Sequence, residues 1–135
     1  MPDFRFLLKV SRPRFWIYIF GPYLIGLVAA VKYKQELLDW RVLVFGLFCT
    51  LPANLLIYGI NDIFDYETDK LNPKKEGYEA LVTPERRGCV ITAILITNIP
   101  FVAVAATLGV QPTIAFASIL FYSIFYSGPP IRAKA

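Results

Sequence analysis

Charged and apolar residues are segregated along this 135-residue chain. Three stretches, 15–31, 42–61 and 88–131, contain no Asp, Glu, Lys or Arg. A membrane-crossing helix needs about 20 apolar residues, so the last stretch is long enough for two. Its natural division is "GVQP" at 109–112, where Gly and Pro punctuate the pattern. The pattern predicts an all-α, polytopic membrane helix bundle with four transmembrane helices, at about 15–32, 42–64, 89–108 and 112–127. A polar segment at about 61–88 separates the second helix from the third. Gly21-Pro22 and Gly26 fall inside the first helix, where neighbouring helices can re-satisfy the backbone and small residues allow close approach.

Composition supports the same class. The chain is 56% hydrophobic and only 18% charged, with a mean hydropathy of +0.52, too apolar for a soluble domain of this size. A basic N-terminal flank and Ala29-Ala30 suggest a cleaved leader, but the apolar run is too long for one and three more spans follow. The N-terminal flank, the 61–88 segment and the C-terminal tail together carry eleven Lys and Arg, against three on the other side. The positive-inside rule therefore predicts an integral membrane protein whose N-terminus and 61–88 segment are cytoplasmic. A net charge of +4 suits anionic membrane lipids as partners. No basic run points to nucleic acid, and the absence of His excludes His-based chemistry within this chain. Cys49 and Cys89 belong to no CxxC pattern and read as packing residues.

The second apolar stretch ends abruptly in "NDIFDYETD", Asn61 to Asp69. If the helix continued at about 100° per residue, Asp65, Asp69 and Asp62 would lie about 40°, 80° and 100° from Asn61. Glu67 would point away, while Asn54 and Tyr58 would extend the polar stripe back into the membrane. Carboxylates stacked on one face repel each other unless a cation sits among them. Two readings stand: a solvated helix end, or a site for Mg²⁺, which takes oxygen ligands from one or two carboxylates together with substrate phosphates. A second constellation, "FYSGPPIRAK", holds Tyr126, Arg132 and Lys134 just after the fourth helix. Alone it reads as a proline helix stop with basic anchors, but topology puts it on the same side as the aspartates.

These residues resemble the UbiA superfamily of intramembrane prenyltransferases. "NDIFDYETD" is similar to its Asn-Asp-x-x-Asp-x-x-x-Asp signature, and "YSGPPIRAK" to its Tyr-Ser-x-Pro-Pro-x-Arg-x-Lys stretch. Arg12-Pro13 fits the usual opening before the first helix, so the resemblance runs from about Ser11 to Lys134. "RPRFWIYIFGP" and "NPKKEGYE" look most like the carotenoid-modifying, lycopene elongase branch. The resemblance implies a nine-helix bundle of which this chain would be the N-terminal half, with a second Asp-rich motif on the other half. A C-terminal half on a separate chain is accordingly an expected partner, and the chain is expected to be inactive alone.

The implied reaction is Mg²⁺-dependent transfer of a prenyl group from an allylic diphosphate to a lipophilic acceptor. Asn61, Asp62, Asp65 and Asp69 would hold the metal, and Asp65, Asp69 and Tyr126 would act in catalysis. Arg132, Lys134 and Lys74 would neutralise the diphosphate. Asn54, Tyr58 and Tyr122 would line the prenyl cavity, where tyrosine faces stabilise an allylic cation. The loop "KLNPKKEGYEALVTPERRG" lacks an Arg-Pro pair common in the family. Lys74 and Lys75 either replace its phosphate contacts or are solvated loop charges. A half-transporter with ion-binding carboxylates, or a non-catalytic subunit, are the competing classes.

Overall fold

The computed structural model describes residues 3–75 and 77–128, which form helices and turns with no strand among them. Arg132 and Lys134 lie outside the described residues. The chain begins with an amphipathic helix, α1 (Phe4–Ser11), that the apolar pattern did not predict because it is short and basic. Asp3 caps it by accepting a hydrogen bond from the Arg5 amide at 3.1 Å. Phe6, Leu7 and Val10 form its apolar face and pack into the core. Arg12 ends the helix in a left-handed conformation, φ 52°, an uncommon state for a residue with a Cβ.

A 3₁₀ turn at Pro13–Phe15 leads into α2 (Ile17–Ala30), bent 58° from the segment before it. Fourteen residues rise only about 21 Å, less than a hydrocarbon core of about 30 Å. Three helical segments are long and apolar enough to cross a membrane, and a fourth is reached if the bent pair counts as one span.

The expected second helix is two helices, α3 (Trp40–Phe48) and α4 (Leu51–Phe64). Pro52 is the cause: it has no amide hydrogen for the carbonyl four residues back, and its ring crowds that carbonyl. It sits instead in the first turn of α4, where proline is accepted. Asn54 closes the break, its amide donating to the carbonyls of Cys49 at 3.1 Å and Thr50 at 2.7 Å. From α6 (Arg87–Thr107), Asn98 adds a bond to the Pro52 carbonyl at 3.2 Å. Gly109, at φ +110°, makes the turn between α6 and α7 (Val110–Ser127) where the sequence pattern places it.

Helix α4 is the centre of the bundle and touches α1, α3, α6 and α7. Around its C-terminal half pack Val10, Leu55, Ile63, Ala80, Val82, Val90 and Ile94. Around the break, Phe48, Cys49, Ala53, Ala105 and Phe116 form a second cluster, with the Phe48 and Phe116 rings 4.6 Å apart. Gly59 lets α4 and α6 approach: a Cβ there would stand 3.1 Å from both Val90 Cγ1 and Ile94 Cδ1. Replacing Gly59 with Leu should therefore lower stability by about 1–3 kcal/mol, the usual cost of overpacking. Gly26→Ala, with nothing within 4 Å of the added carbon, should leave it unchanged or raised. Thermal unfolding of both variants in detergent micelles checks the contrast.

Candidate functional site

Asp62 lies on the inward stripe of α4, three residues after Gly59 and seven after Leu55. Its side chain is 1% exposed. A carboxylate withdrawn from water this far must be paired, because its desolvation otherwise costs several kcal/mol. Two cations meet one of its oxygens: Arg12 Nη2 lies 2.6 Å and Lys75 Nζ 2.7 Å from Asp62 Oδ1. Arg12 reaches it from the turn after α1, and Lys75 from a 3₁₀ turn at Pro73–Lys75.

Lys75 Nζ also lies 2.9 Å from Asp69 Oδ2 and 3.7 Å from Glu79 Oε2. It meets these groups as an ion pair rather than through aligned hydrogen bonds. Glu79 Oε2 is 3.4 Å from Arg12, and Arg14 lies 3.7 Å from the other Glu79 oxygen. Three cations thus interleave with three carboxylates. Aromatic faces complete the cluster, with Arg12 4.8 Å from the Tyr58 ring centre and Arg14 4.0 Å from that of Tyr78.

The single acidic face expected from helical geometry does not form. The helix stops at Phe64, Asp65 leaves it at φ −100° and ψ 10°, and a separate turn, α5 (Tyr66–Asp69), follows. The bend turns Asp69 back towards Asp62, so the two share Lys75. The Asp65 carbonyl accepts the amides of Thr68 and Asp69 at 3.0 and 2.8 Å, which folds the turn. Glu67 points outward, as expected, and pairs with Lys70.

Asn61 accepts a hydrogen bond from Ser127 Oγ at 3.1 Å, joining the end of α7 to the acidic end of α4. Tyr58 is half-buried beneath Arg12. Asn54 is fully buried at the helix break instead of on an open wall. Tyr122 and Tyr126 are 71% and 55% exposed, on the flank of α7 turned away from Ser127. Lys74 is exposed and stands apart from the cluster, while its neighbour Lys75 is buried.

Arg12, Arg14 and Glu79 are members to which the sequence assigns no role at the site, and Lys75 reads from sequence only as a phosphate contact or a solvated loop charge. The available signal was the position of Asp62: a carboxylate in register with Leu55 and Gly59 on a core stripe demands a buried cation. Among the described residues no three acidic or thiol groups come together to hold a metal ion by themselves. Asp62 and Asp69 nonetheless converge on one cationic position, and Asp62 Oδ2 is buried without a hydrogen-bond partner. Such an oxygen-only pair fits Mg²⁺ in its usual shared mode, in which phosphate oxygens supply further ligands.

Several curated proteins are similar to this chain over nearly its whole length. The chain is 36% identical over 133 residues to a lycopene elongase/hydratase of Haloarcula japonica, covering 96% of this chain and 44% of that protein. It is 38% identical over 131 residues to the lycopene elongase/hydratase of Halobacterium salinarum, covering 97% and 47%. For the lycopene elongase/hydratase of Corynebacterium glutamicum the identity is 32% over 136 residues, covering 99% and 46%. The chain spans about half the length of the curated relatives it matches. No solved structure matches it significantly. Residues 19–135 match the UbiA prenyltransferase family, and with its long apolar helices and the acidic end of α4 the chain belongs to that family of integral membrane proteins.

Proposed function

We propose that this chain supplies the diphosphate-binding side of an intramembrane enzyme that moves a prenyl group from an allylic diphosphate to a lipophilic, carotenoid-like acceptor. The observation that carries this reading is the Ser127–Asn61 hydrogen bond. It sets the end of α7 against the acidic end of α4. The positive-inside rule assigns that end of the bundle to the cytoplasm, the side on which the sequence leads Arg132 and Lys134 to be expected.

Mg²⁺ would be held by Asn61, Asp65 and Asp69 with Asp62, and when bound it neutralises charge on the leaving diphosphate. Arg132 and Lys134 bind the phosphate oxygens left over. Arg12 and Glu79 position Asp62, holding its carboxylate in one orientation at the end of α4. Tyr58, half-buried beside the ionic cluster, presents a ring face to the allylic cation, whereas Tyr122 and Tyr126 on the exposed flank of α7 do not reach it. The prenyl tail lies between helices in a dry environment that excludes water from the cation. The complete active site includes a second Asp-rich motif from the remaining half of the bundle. A coupling-ion transporter fits less well, since the acidic groups here sit at the end of α4 and are already matched by Arg and Lys.

Asp65→Ala or Asp69→Ala in the full-length enzyme should reduce prenyl transfer by about a hundredfold or more, the scale for losing a group that stabilises developing charge. A radiolabelled allylic-diphosphate assay in membranes measures this, and unchanged turnover and Mg²⁺ dependence would refute the assignment. Arg132→Ala should weaken inhibition by inorganic diphosphate. Asp62→Ala behaves differently: it strands Arg12 and Lys75 and should destabilise the fold by about 3–5 kcal/mol. Its thermal midpoint should fall well below that of Asp65→Ala.

A further inference from the structure

We propose that Lys75 is a tethered stand-in for the divalent cation, exchanged for it only when a diphosphate arrives. This rests on the prenyl-diphosphate reading above. Lys75 Nζ occupies the point on which Asp62 and Asp69 converge, 2.7 and 2.9 Å from their oxygens, and its side chain is 2% exposed. A loop lysine that only decorated the surface would keep its ammonium in water. This one is withdrawn from water and spends its charge on two of the motif's own aspartates.

Charge counting makes the exchange conditional. Arg12, Arg14 and Lys75 balance Asp62, Asp69 and Glu79, so the described cluster is neutral by itself. A divalent cation entering alone would compete with Lys75 for both carboxylates. The displaced ammonium would then be left with Glu79 alone, a carboxylate that Arg12 and Arg14 already share. A diphosphate removes that obstacle, because its oxygens give Lys75 a new partner while sharing the metal with the aspartates. Metal and diphosphate therefore bind with positive coupling, and by linkage each raises the affinity for the other. Lys75 is the last residue of the 3₁₀ turn Pro73–Lys75 and is not on a spanning helix. It can shift from carboxylate to phosphate without moving α4.

The test uses Mn²⁺ as a spectroscopically visible divalent ion, with the protein in nanodiscs of zwitterionic lipid. Wild type should bind Mn²⁺ alone weakly. Lys75→Met should bind it at least tenfold more tightly, within the usual range for such coupling. Lys70→Met, an identical charge change on an exposed residue of the same loop, should change affinity less than twofold. Equal Mn²⁺ affinity in wild type and Lys75→Met overturns the proposal, as does an equal gain in Lys70→Met.

A second measurement on wild type keeps the idea testable if Lys75→Met fails to fold. Mg²⁺ alone should leave the thermal midpoint unchanged, whereas premixed Mg²⁺ and inorganic diphosphate should raise it. A full shift with Mg²⁺ alone overturns the exchange while leaving the prenyl-transfer reading intact. No shift with the premixed pair counts against the prenyl-diphosphate reading itself.

Discussion

One buried charge governs this architecture. Asp62 stands on the core stripe of the central helix at 1% exposure, where an unpaired carboxylate would cost more than the packing around it returns. Its partners come from far along the chain on either side, Arg12 fifty residues before it and Lys75 on the following loop. Satisfying this one group thus fastens the N-terminal helix and the polar loop onto the end of α4. The apolar contacts follow the same path, since Val10 from α1 and Ala80 and Val82 from the loop share a cluster with Ile63. A segment that reads as a solvated connector is a folded cap.

The spans were legible because charge exclusion from lipid leaves long uninterrupted runs, and Gly109 marked the turn between the last two. Two features escaped for physical reasons. Helix α1 is eight residues long and gains its stability from docking on α4, which no local periodicity reveals. The break before α4 was signalled by Pro52, but a proline in an apolar run can equally kink a continuous helix. Here Asn54 closes the break through the Cys49 and Thr50 carbonyls, and Asn98 ties the first turn of α4 to α6 through the Pro52 carbonyl.

At the candidate site the residue types were legible and the geometry was not. The resemblance singled out the stretch Asn61 to Asp69, yet the angular arithmetic assumed a helix running through it, and α4 ends at Phe64. Pairing also lay beyond reach. Lys74 and Lys75 are adjacent and chemically identical, and only the 3₁₀ turn that carries them decides that the second is the buried one. Sequence identifies which charges are present near a motif; tertiary packing determines which of them share a dielectric.

The jointed span has a mechanical consequence. The residues beside the joint pack with Phe48 and Phe116, while the stretch beyond it packs with Val90 and the loop that frames Asp62. Leu120 packs against both clusters, so α7 ties the two ends of the span together. The joint is closed by side-chain amides, not by an unbroken backbone ladder, so its angle follows the packing of the helices around it.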